Sequence, residues 1–282
     1  MSFIQKVLTD IELNENQSLH IDSWKTYINE ALWGWEFIAP YVNSLPIGSQ
    51  IFEIGAGPQA LSAQVASKGM LVTAIEPSGS GFSIMTSLGE KVRNLASESG
   101  ITYKIIDAPG EEFIQRDSFD FAFSINVMEH VGDFTSVLDN VLASLKIGAT
   151  YHFVCPNYAF PFEPHFNIPT LINKRLTDKY LSKYAIASSP SIDPEGLWDS
   201  LNWISVRKIR RWARCQSNIS IQFSNRALEM YVTRSQTDPI FVERHKNLAR
   251  ISKPITKVLL IISRFFPKSV SPFIDVKITK LK

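Results

Sequence analysis

The chain has 282 residues, of which 45% are hydrophobic, enough for one large domain or for a domain with a cap. Its 29 Lys and Arg residues stand against 27 Asp and Glu residues, so the strongly basic surface of a dedicated nucleic-acid-binding protein is not expected. The two cysteines, Cys155 and Cys215, are far apart and fit a reducing compartment better than a disulfide framework. The first residues lack the layout of a secretory signal and no apolar stretch is long enough to cross a bilayer, so we expect a cytoplasmic protein.

Residues 1–49 predict a helical segment that precedes the main domain. Apolar residues recur at helical spacing ahead of a turn at Pro46, Ile47 and Gly48. The stripe consists of Trp24, Ile28, Ala31, Leu32, Trp35, Phe37 and Ile38.

Residues 50–156 alternate between strand and helix patterns. The expected strands are IFEI, MLVTAI, ITYKIID, FDFAFSI and ATYHFVCP. Helices are expected between them, and the helix VLDNVLASLK is expected to end where Gly148 takes a left-handed conformation. Strands that alternate with helices indicate a doubly wound, mostly parallel sheet with helices on both faces.

Residues 157–282 are expected to complete the same α/β domain and to build a cap. An irregular loop, NYAFPFEPHFNIP, is followed by helical pieces, one of them capped by Ser205, and by the strand ISIQF. A second helical insertion is expected from about Arg226 to Phe266. The closing segment SPFIDVKITK alternates apolar and polar residues, which predicts a last, antiparallel strand within a seven-stranded sheet.

The first of these strands ends in Glu53 and breaks into Gly55-Ala56-Gly57. Glycines let a backbone turn tightly and approach a ligand, so this loop predicts a nucleotide-type cofactor at the carboxyl edge of the sheet. Glu76, at the end of the next strand, can accept hydrogen bonds from both ribose hydroxyls of such a cofactor. The alternative is an ordinary strand-to-helix turn with a solvent-facing Glu76.

Two cofactors are compatible with this loop. Residues 55–60 fit the dinucleotide pattern G-x-G-x-x-G/A, with an acid about 20 residues further on, so an NAD-dependent oxidoreductase is one reading. Glu53 would repel a pyrophosphate, whereas a carboxylate near a sulfonium or an ammonium group is electrostatically favourable.

A series of segments in this order and spacing resembles the successive motifs of class I S-adenosylmethionine-dependent methyltransferases. The segments are IFEIGAGPQ, AIEPS, IIDAPGEEF, FDFAFSINVMEHV and LASLKIGATYHFVCPN. The resemblance covers about residues 50–157 and implies S-adenosylmethionine as cofactor. Gln59 stands where the family's first motif has its third glycine.

The same resemblance implies which residues hold the cofactor. The methionine part is assigned to the loop after the first strand, the ribose and adenine to the ends of the next two strands, and the amino acid end to the fourth. In that order the residues are Glu53, Gly55, Ala56 and Gly57; Glu76 and Pro77; Asp107 and Ala108; and the backbone of Asn126.

Methyl transfer needs an acceptor held in line with the methyl group, and a hydroxyl or amine must lose a proton. We predict that His165 accepts this proton or positions the substrate, because imidazole titrates near neutral pH. The alternative is a loop histidine with a structural hydrogen bond, and His130 is a weaker candidate. No group of His, Cys, Asp and Glu residues has the spacing along the sequence that metal ligands show, so we predict no metal. The aromatic residues near His165 fit a small core of the cap better than an acceptor pocket.

Two basic runs follow, near residues 207–214 and 253–268. The second has an apolar face and could make a weak peripheral membrane contact, but we favour an amphipathic helix that covers the sheet. The function predicted is methyl transfer to an oxygen or nitrogen of a small-molecule or carrier-linked acceptor, including a lipid-linked one. The alternatives are an NAD-dependent oxidoreductase and a non-catalytic S-adenosylmethionine-binding protein.

Overall fold

The main sheet has seven strands, in a computed structural model that describes residues 1–15, 20–77, 83–189, 193–237 and 253–282. The strands are β1 (Gln50–Ile54), β2 (Leu71–Ile75), β3 (Lys104–Ile106), β4 (Phe119–Ile125), β5 (Leu145–Pro156), β8 (Ile219–Phe223) and β9 (Phe273–Lys280). A separate two-stranded antiparallel hairpin contains β6 (Phe162–Glu163) and β7 (Ile168–Pro169).

The strand order is β3-β2-β1-β4-β5-β9-β8. Strand β1 pairs in parallel with β2 and β4, and β2 pairs in parallel with β3. The last strand in sequence lies between β5 and β8 and runs antiparallel. The predicted fold class, a mostly parallel α/β sheet with an antiparallel last strand, is therefore confirmed.

The helices of the described residues surround these strands in sequence. They are α1 (Phe3–Asn14), α2 (Ile21–Val42), α3 (Ala60–Ala66), α4 (Ser83–Glu98), α5 (Phe134–Ser144), α6 (Lys174–Ser188), α7 (Pro194–Ser200), α8 (Val206–Ala213), α9 (Arg226–Thr237) and α10 (Lys253–Phe265). The predicted insertion from Arg226 to Phe266 contains α9 and α10, and its residues 238–252 lie outside the described ranges.

The chain divides into two compact units. Unit 1 comprises residues 1–127, 136–152 and 279–282, and unit 2 comprises residues 128–135 and 153–278. In unit 1, strands β1 and β4 bury aromatic residues against each other, with the rings of Phe52 and Phe119 stacked at 4.8 Å. The stripe predicted on α2 is largely buried, but Leu32 and Trp35 are half-buried and Trp33 is buried instead.

Helix α5 ends earlier than predicted. Its last residue is Ser144, β5 begins at Leu145, and Gly148, with φ +82°, lies inside the span of β5. The terminal carbonyls of the helix accept tertiary hydrogen bonds instead: Asp117 N donates to Ala143 O at 3.0 Å and Ser118 N to Ser144 O at 2.9 Å. Unpaired carbonyls at a helix end need such partners, and here a neighbouring turn supplies them in place of a glycine cap.

Unit 2 has a small core of its own. Phe166, Trp198 and Trp203 are buried together with Leu201, which confirms the preference for a core over an aromatic acceptor pocket at these positions. Helix α8 begins as predicted, since the Ser205 hydroxyl accepts from Lys208 N at 3.4 Å.

Helix α10 does not bury its apolar face. Five apolar residues are each more than half exposed, namely Ile255, Val258, Ile261, Ile262 and Phe265, while the polar Thr256 and Ser263 are buried. The prediction that this apolar face covers the sheet is therefore wrong. The polar side of α10 is held inward instead, because the Asn225 amide donates to Ser263 O at 2.8 Å and to Phe266 O, just after the helix, at 2.7 Å. These bonds set the rotation of the helix.

None of the helices in the described ranges is both long and apolar enough to cross a membrane.

Candidate functional site

Parallel strands of unit 1 end side by side at one edge of the sheet. The peptide N–H groups of Gly55 and Ala56 donate to Ile75 O at 2.9 and 3.1 Å, and Glu76 N donates to Ile106 O at 3.1 Å. The ends of β1, β2 and β3 are thus joined by backbone hydrogen bonds just beyond their last residues. Ligands of doubly wound sheets bind at this edge, where the strand ends present loop backbone.

The loop after β1 depends on glycine for two different reasons. Gly55 has φ +73°, and a Cβ there would lie 2.4 and 2.5 Å from the two Cγ atoms of Val127. Gly57 has φ +48°, but a Cβ there would meet only the Met85 sulfur at 3.8 Å. Gly55 is therefore required by packing, whereas Gly57 keeps a piece of backbone open to a ligand.

The loop is tied to the end of β2 through Glu76. Gly57 N donates to Glu76 Oε2 at 2.9 Å. Burial raises the pKa of Glu76, and the hydrogen bond from Gly57 opposes this shift. The contact brings the predicted ribose-binding carboxylate to the glycine loop.

Glu53 is buried beneath this loop. Its carboxylate accepts a hydrogen bond from the Ser62 hydroxyl of α3, a partner that the sequence patterns did not identify. Burial raises the pKa of Glu53 to about 8; the Ser62 bond opposes the shift and the charge of Glu76 adds to it. An anionic ligand would increase this electrostatic cost and a cationic one would relieve it.

Gln59, in the place of the third glycine, adopts the backbone conformation that a glycine would. Its φ is +65°, its N–H donates to Ala56 O at 2.7 Å, and its side-chain oxygen accepts from the Tyr103 hydroxyl at 3.3 Å. The turn into α3 is therefore retained without glycine.

The other predicted cofactor residues follow the neighbouring strands. Pro77 is exposed next to Glu76, while Asp107 is exposed and Ala108 half-buried directly after β3. Asn126 follows β4 with φ +55°, which turns its backbone sharply at the strand end. The structure therefore places all nine predicted cofactor residues of unit 1 on the strand ends of β1 to β4.

This set of groups fits S-adenosylmethionine. The site has a buried carboxylate, Glu53, a half-buried one, Glu76, and an open loop backbone at Gly57. A carboxylate suits a sugar diol, and an acidic surrounding suits a cofactor that carries a sulfonium and an ammonium group. The same carboxylates would repel a pyrophosphate.

The predicted acceptor-side residue, His165, lies in unit 2 within a polar cluster. Its Nδ1 is 2.6 Å from Glu163 Oε1, which also accepts from the Tyr158 hydroxyl at 3.1 Å, and Glu163 Oε2 accepts from Phe166 N at 2.6 Å. Burial alone would lower the pKa of His165, but the Glu163 hydrogen bond and the charges of Glu163 and Glu129 raise it. Burial raises the pKa of Glu163, and the contacts with His165 more than offset this.

Two further residues of unit 2 face His165. The rings of His130 and His165 are 5.0 Å apart, and Glu129 Oε1 is 3.7 Å from His130 Nε2. One ligand atom from each of these three residues lies within 4.8 Å of the others. Sequence reasoning treated His130 and His165 separately and gave Glu129 no role, because the 34 residues between the two histidines leave no local pattern that would predict their approach.

Glu129 is fully buried, and burial raises its pKa to about 7, with the positive charge of His165 opposing the shift. Burial, with the charge of His165, lowers the pKa of His130, although 27% of that side chain remains exposed.

Comparisons with known proteins add the family context. The methyltransferase domain family matches residues 52–153. An uncharacterized protein of Mycobacterium tuberculosis is 37% identical over 253 residues, which cover 89% of this chain and 85% of that protein.

Solved structures share the fold at low sequence identity. Phosphoethanolamine N-methyltransferase 2 of Haemonchus contortus, in complex with S-adenosyl-L-methionine, has a TM-score of 0.53 at 15% identity over 90% of this chain, which spans only about half (53%) of that enzyme. Geranyl diphosphate C-methyltransferase of Streptomyces coelicolor, in complex with Mg²⁺, geranyl-S-thiolodiphosphate and S-adenosyl-L-homocysteine, has a TM-score of 0.52 at 13% identity, covering 89% of this chain and 76% of that one. The plantazolicin methyltransferase BpumL, in complex with S-adenosylhomocysteine, has a TM-score of 0.51 at 10% identity, covering 99% of this chain and 95% of that one.

Proposed function

Because the chain belongs to the class I S-adenosylmethionine-dependent methyltransferases, we propose that it transfers a methyl group to an oxygen or nitrogen of a small-molecule or carrier-linked acceptor. S-adenosylmethionine supplies an activated methyl group, and the product is S-adenosylhomocysteine. The observation that carries this proposal is the convergence of Glu53, Gly57 and Glu76 at one sheet edge, in the order the family uses.

The residues of the edge divide the task of cofactor binding. Glu76 offers acceptors for a ribose diol while it holds Gly57 in place, and the loop backbone at Gly57 admits the ligand. The cofactor's cationic groups would lower the raised pKa of Glu53, so that its ionised carboxylate supplies negative charge toward them. Asp107, Ala108 and Asn126 are proposed to contact the adenine and the amino acid end.

Calorimetry with S-adenosylhomocysteine and with NADH tests the cofactor assignment. We expect 1:1 binding of S-adenosylhomocysteine and none of NADH. Gly57→Ala should weaken S-adenosylhomocysteine binding about 10- to 100-fold, since a side chain placed against a ligand costs about 1–3 kcal/mol.

Gly48→Ala is the matched control, because Gly48 also has positive φ, +85°, with nothing within 4 Å of an added Cβ. It should leave the affinity unchanged. Equal affinities for the two variants, or binding of NADH in place of S-adenosylhomocysteine, would contradict the assignment.

His165 is the residue that we propose to act on the acceptor, as a proton acceptor or as a positioning group. Glu163 holds Nδ1, which leaves Nε2 as the ring nitrogen available for an acceptor. His165→Gln should lower turnover and leave the affinity for S-adenosylhomocysteine unchanged. Turnover equal to that of the unmodified enzyme would exclude both roles.

We also propose that the enzyme is cytoplasmic and that its helix α10 contacts the surface of an anionic membrane, where a lipid-linked acceptor would be found. The supporting observation is its exposed apolar row, which runs from Ile255 to Phe265 beside the exposed cations Lys257 and Arg264. Co-sedimentation with anionic liposomes at low salt should succeed, and Ile262→Asp should reduce it. Failure of the unmodified protein to pellet would remove the membrane contact and leave the cofactor assignment intact.

A further inference from the structure

In unit 2, two histidines and a glutamate each have one potential metal-ligand atom within 4.8 Å of those of the other two. We propose that Glu129, His130 and His165 form a binding site for a divalent transition-metal ion, for which Zn²⁺ is the probe. This goes beyond the proposed function and does not depend on it. It departs from the sequence-based prediction of no metal, which rested on spacing along the chain.

The hydrogen bonds around His130 determine which of its nitrogens is available. The Ser200 hydroxyl donates to Leu197 O at 2.8 Å, so its oxygen is left to accept from His130 Nδ1 at 2.9 Å. An imidazole that carries its proton on Nδ1 has its lone pair on Nε2. Nε2 is the atom that lies 3.7 Å from Glu129.

His165 is arranged in the same way. The Glu163 carboxylate can only accept, so His165 Nδ1 carries the proton in the 2.6 Å bond between them. The other nitrogen, Nε2, is then the potential ligand atom. A carboxylate on the distal nitrogen is the usual second partner of a metal-binding histidine, because it fixes the tautomer and increases the basicity of the ligand.

Glu129 supplies the charge of the site. Its side chain is fully buried, and neither carboxylate oxygen accepts a hydrogen bond from another residue in the part of the chain that the structure describes. A buried, unpartnered carboxylate is costly, and a cation between the three residues would neutralise it.

The backbone around Glu129 is held in place. Asn202 N donates to Glu129 O at 2.9 Å, and the Asn202 amide donates to Met128 O at 2.7 Å and to Val131 O at 2.8 Å. Two of the three proposed ligands, Glu129 and His130, therefore lie on a segment that is held by hydrogen bonds, which matches the preorganisation that metal sites require.

The spacing suits a metal of the zinc class. Two ligands about 2.1 Å from a tetrahedral Zn²⁺ lie about 3.4 Å apart, close to the 3.7 Å between His130 Nε2 and Glu129 Oε1. Two imidazoles and one carboxylate favour Zn²⁺, Fe²⁺ or Co²⁺ over Mg²⁺ and Ca²⁺. Three protein ligands also leave a coordination position for water or for an oxygen of another ligand.

The experiment is a metal-binding titration of the full chain after removal of metals by a chelator, without cofactor or acceptor. Competition with a chromophoric chelator should show one Zn²⁺ per chain, and Co²⁺ should give a visible absorption band at the same stoichiometry. Glu129→Gln, His130→Gln and His165→Gln should each abolish this binding. Glu163→Gln, which keeps all three ligands and changes the hydrogen-bond partner of His165, should weaken it about 10- to 100-fold.

His20→Gln is the matched control, because His20 is an exposed histidine outside the cluster. It should bind Zn²⁺ like the unmodified protein. Circular dichroism and thermal melting of each metal-free variant show whether it is folded. Only folded variants enter the comparison, and Glu163→Gln keeps all three ligands if a ligand variant unfolds.

No stoichiometric binding by the unmodified protein would overturn the proposal. Binding that persists in the folded ligand variants, or that is lost in His20→Gln, would overturn it as well. The result is independent of S-adenosylhomocysteine binding, so failure of the metal site and failure of the methyltransferase assignment are separate outcomes. A metal ion on His165 Nε2 would exclude this atom as a proton acceptor and leave His165 a positioning role through the metal.

Discussion

Substitution of Gly55 by alanine tests the packing of the loop after β1. The first cost is conformational: φ is +73°, and an L-residue in this region costs about 1–2 kcal/mol. The second is steric: the new methyl would lie 2.4 and 2.5 Å from Val127 Cγ2 and Cγ1, and overpacking of this kind costs about 1–3 kcal/mol. Gly55→Ala should therefore lower the free energy of unfolding by about 2–5 kcal/mol.

Two further variants separate these costs. Gly48→Ala should carry only the conformational cost of about 1–2 kcal/mol, because its Cβ would meet nothing within 4 Å. Val127→Ala removes both atoms that clash with a Cβ at position 55. The double variant Gly55→Ala/Val127→Ala should therefore be about 1–3 kcal/mol more stable than the sum of the single effects predicts.

The assay is urea denaturation at constant pH, followed by circular dichroism, with the slope compared among variants. Stability of Gly55→Ala within 0.5 kcal/mol of Gly48→Ala, on the order of the usual additivity error, would refute the steric argument. Strict additivity of Gly55→Ala and Val127→Ala would refute it too, since the clash requires both side chains.

Substitutions at three other positions each test a single feature. Burial raises the pKa of Glu53 from 4.5 to about 8, so its contribution to stability is fully present below pH 4.5 and is lost as the pH rises through 8. Urea denaturation between pH 4.5 and 8.5 should therefore show the unmodified protein losing stability relative to Glu53→Gln, by at most about 5 kcal/mol. Parallel stability curves of the two proteins would contradict this. Gln59→Gly should change the free energy of unfolding by less than about 1 kcal/mol and keep the affinity for S-adenosylhomocysteine. Gln59→Val should be clearly less stable, because φ at this position is +65° and a β-branched residue disfavours positive φ. Equal stabilities of the two variants would argue against a left-handed backbone conformation at position 59. Ser205→Ala removes the N-terminal cap of α8 and should lower the stability measured by thermal melting by about 0.5–1 kcal/mol, since the capping hydrogen bond is long, at 3.4 Å. An unchanged stability would show that this hydrogen bond does not stabilise the helix.

The strand ends that carry the cofactor residues could be predicted from sequence because they are local features. An apolar run of strand length followed at once by Gly55, Glu76, Asp107 or Asn126 places that residue at a carboxyl end, and alternation with helices makes the strands parallel. Parallel strands then bring the four positions to one edge without any knowledge of side-chain packing. The retained turn at Gln59 was not predictable, because a non-glycine residue gives no sign of positive φ.

Features that depend on distant contacts could not be predicted in this way. The rotation of α10 is set by Asn225, which bonds to carbonyls about 40 residues further along the chain, and this reverses the side that an amphipathic pattern would bury. The end of α5 is likewise determined by the turn at Asp117 and Ser118 rather than by Gly148.

The cluster of unit 2 shows the same division most clearly. Residue types alone single out His165 as a group that can titrate near neutral pH, and local spacing places it in a loop. Its partners are determined by packing: Glu163 fixes one nitrogen, while Glu129 and His130 arrive from a turn 35 residues earlier. Periodicity reports the neighbours of a residue along a helix or strand, whereas the convergence of side chains from separate segments follows from how the backbone folds back on itself.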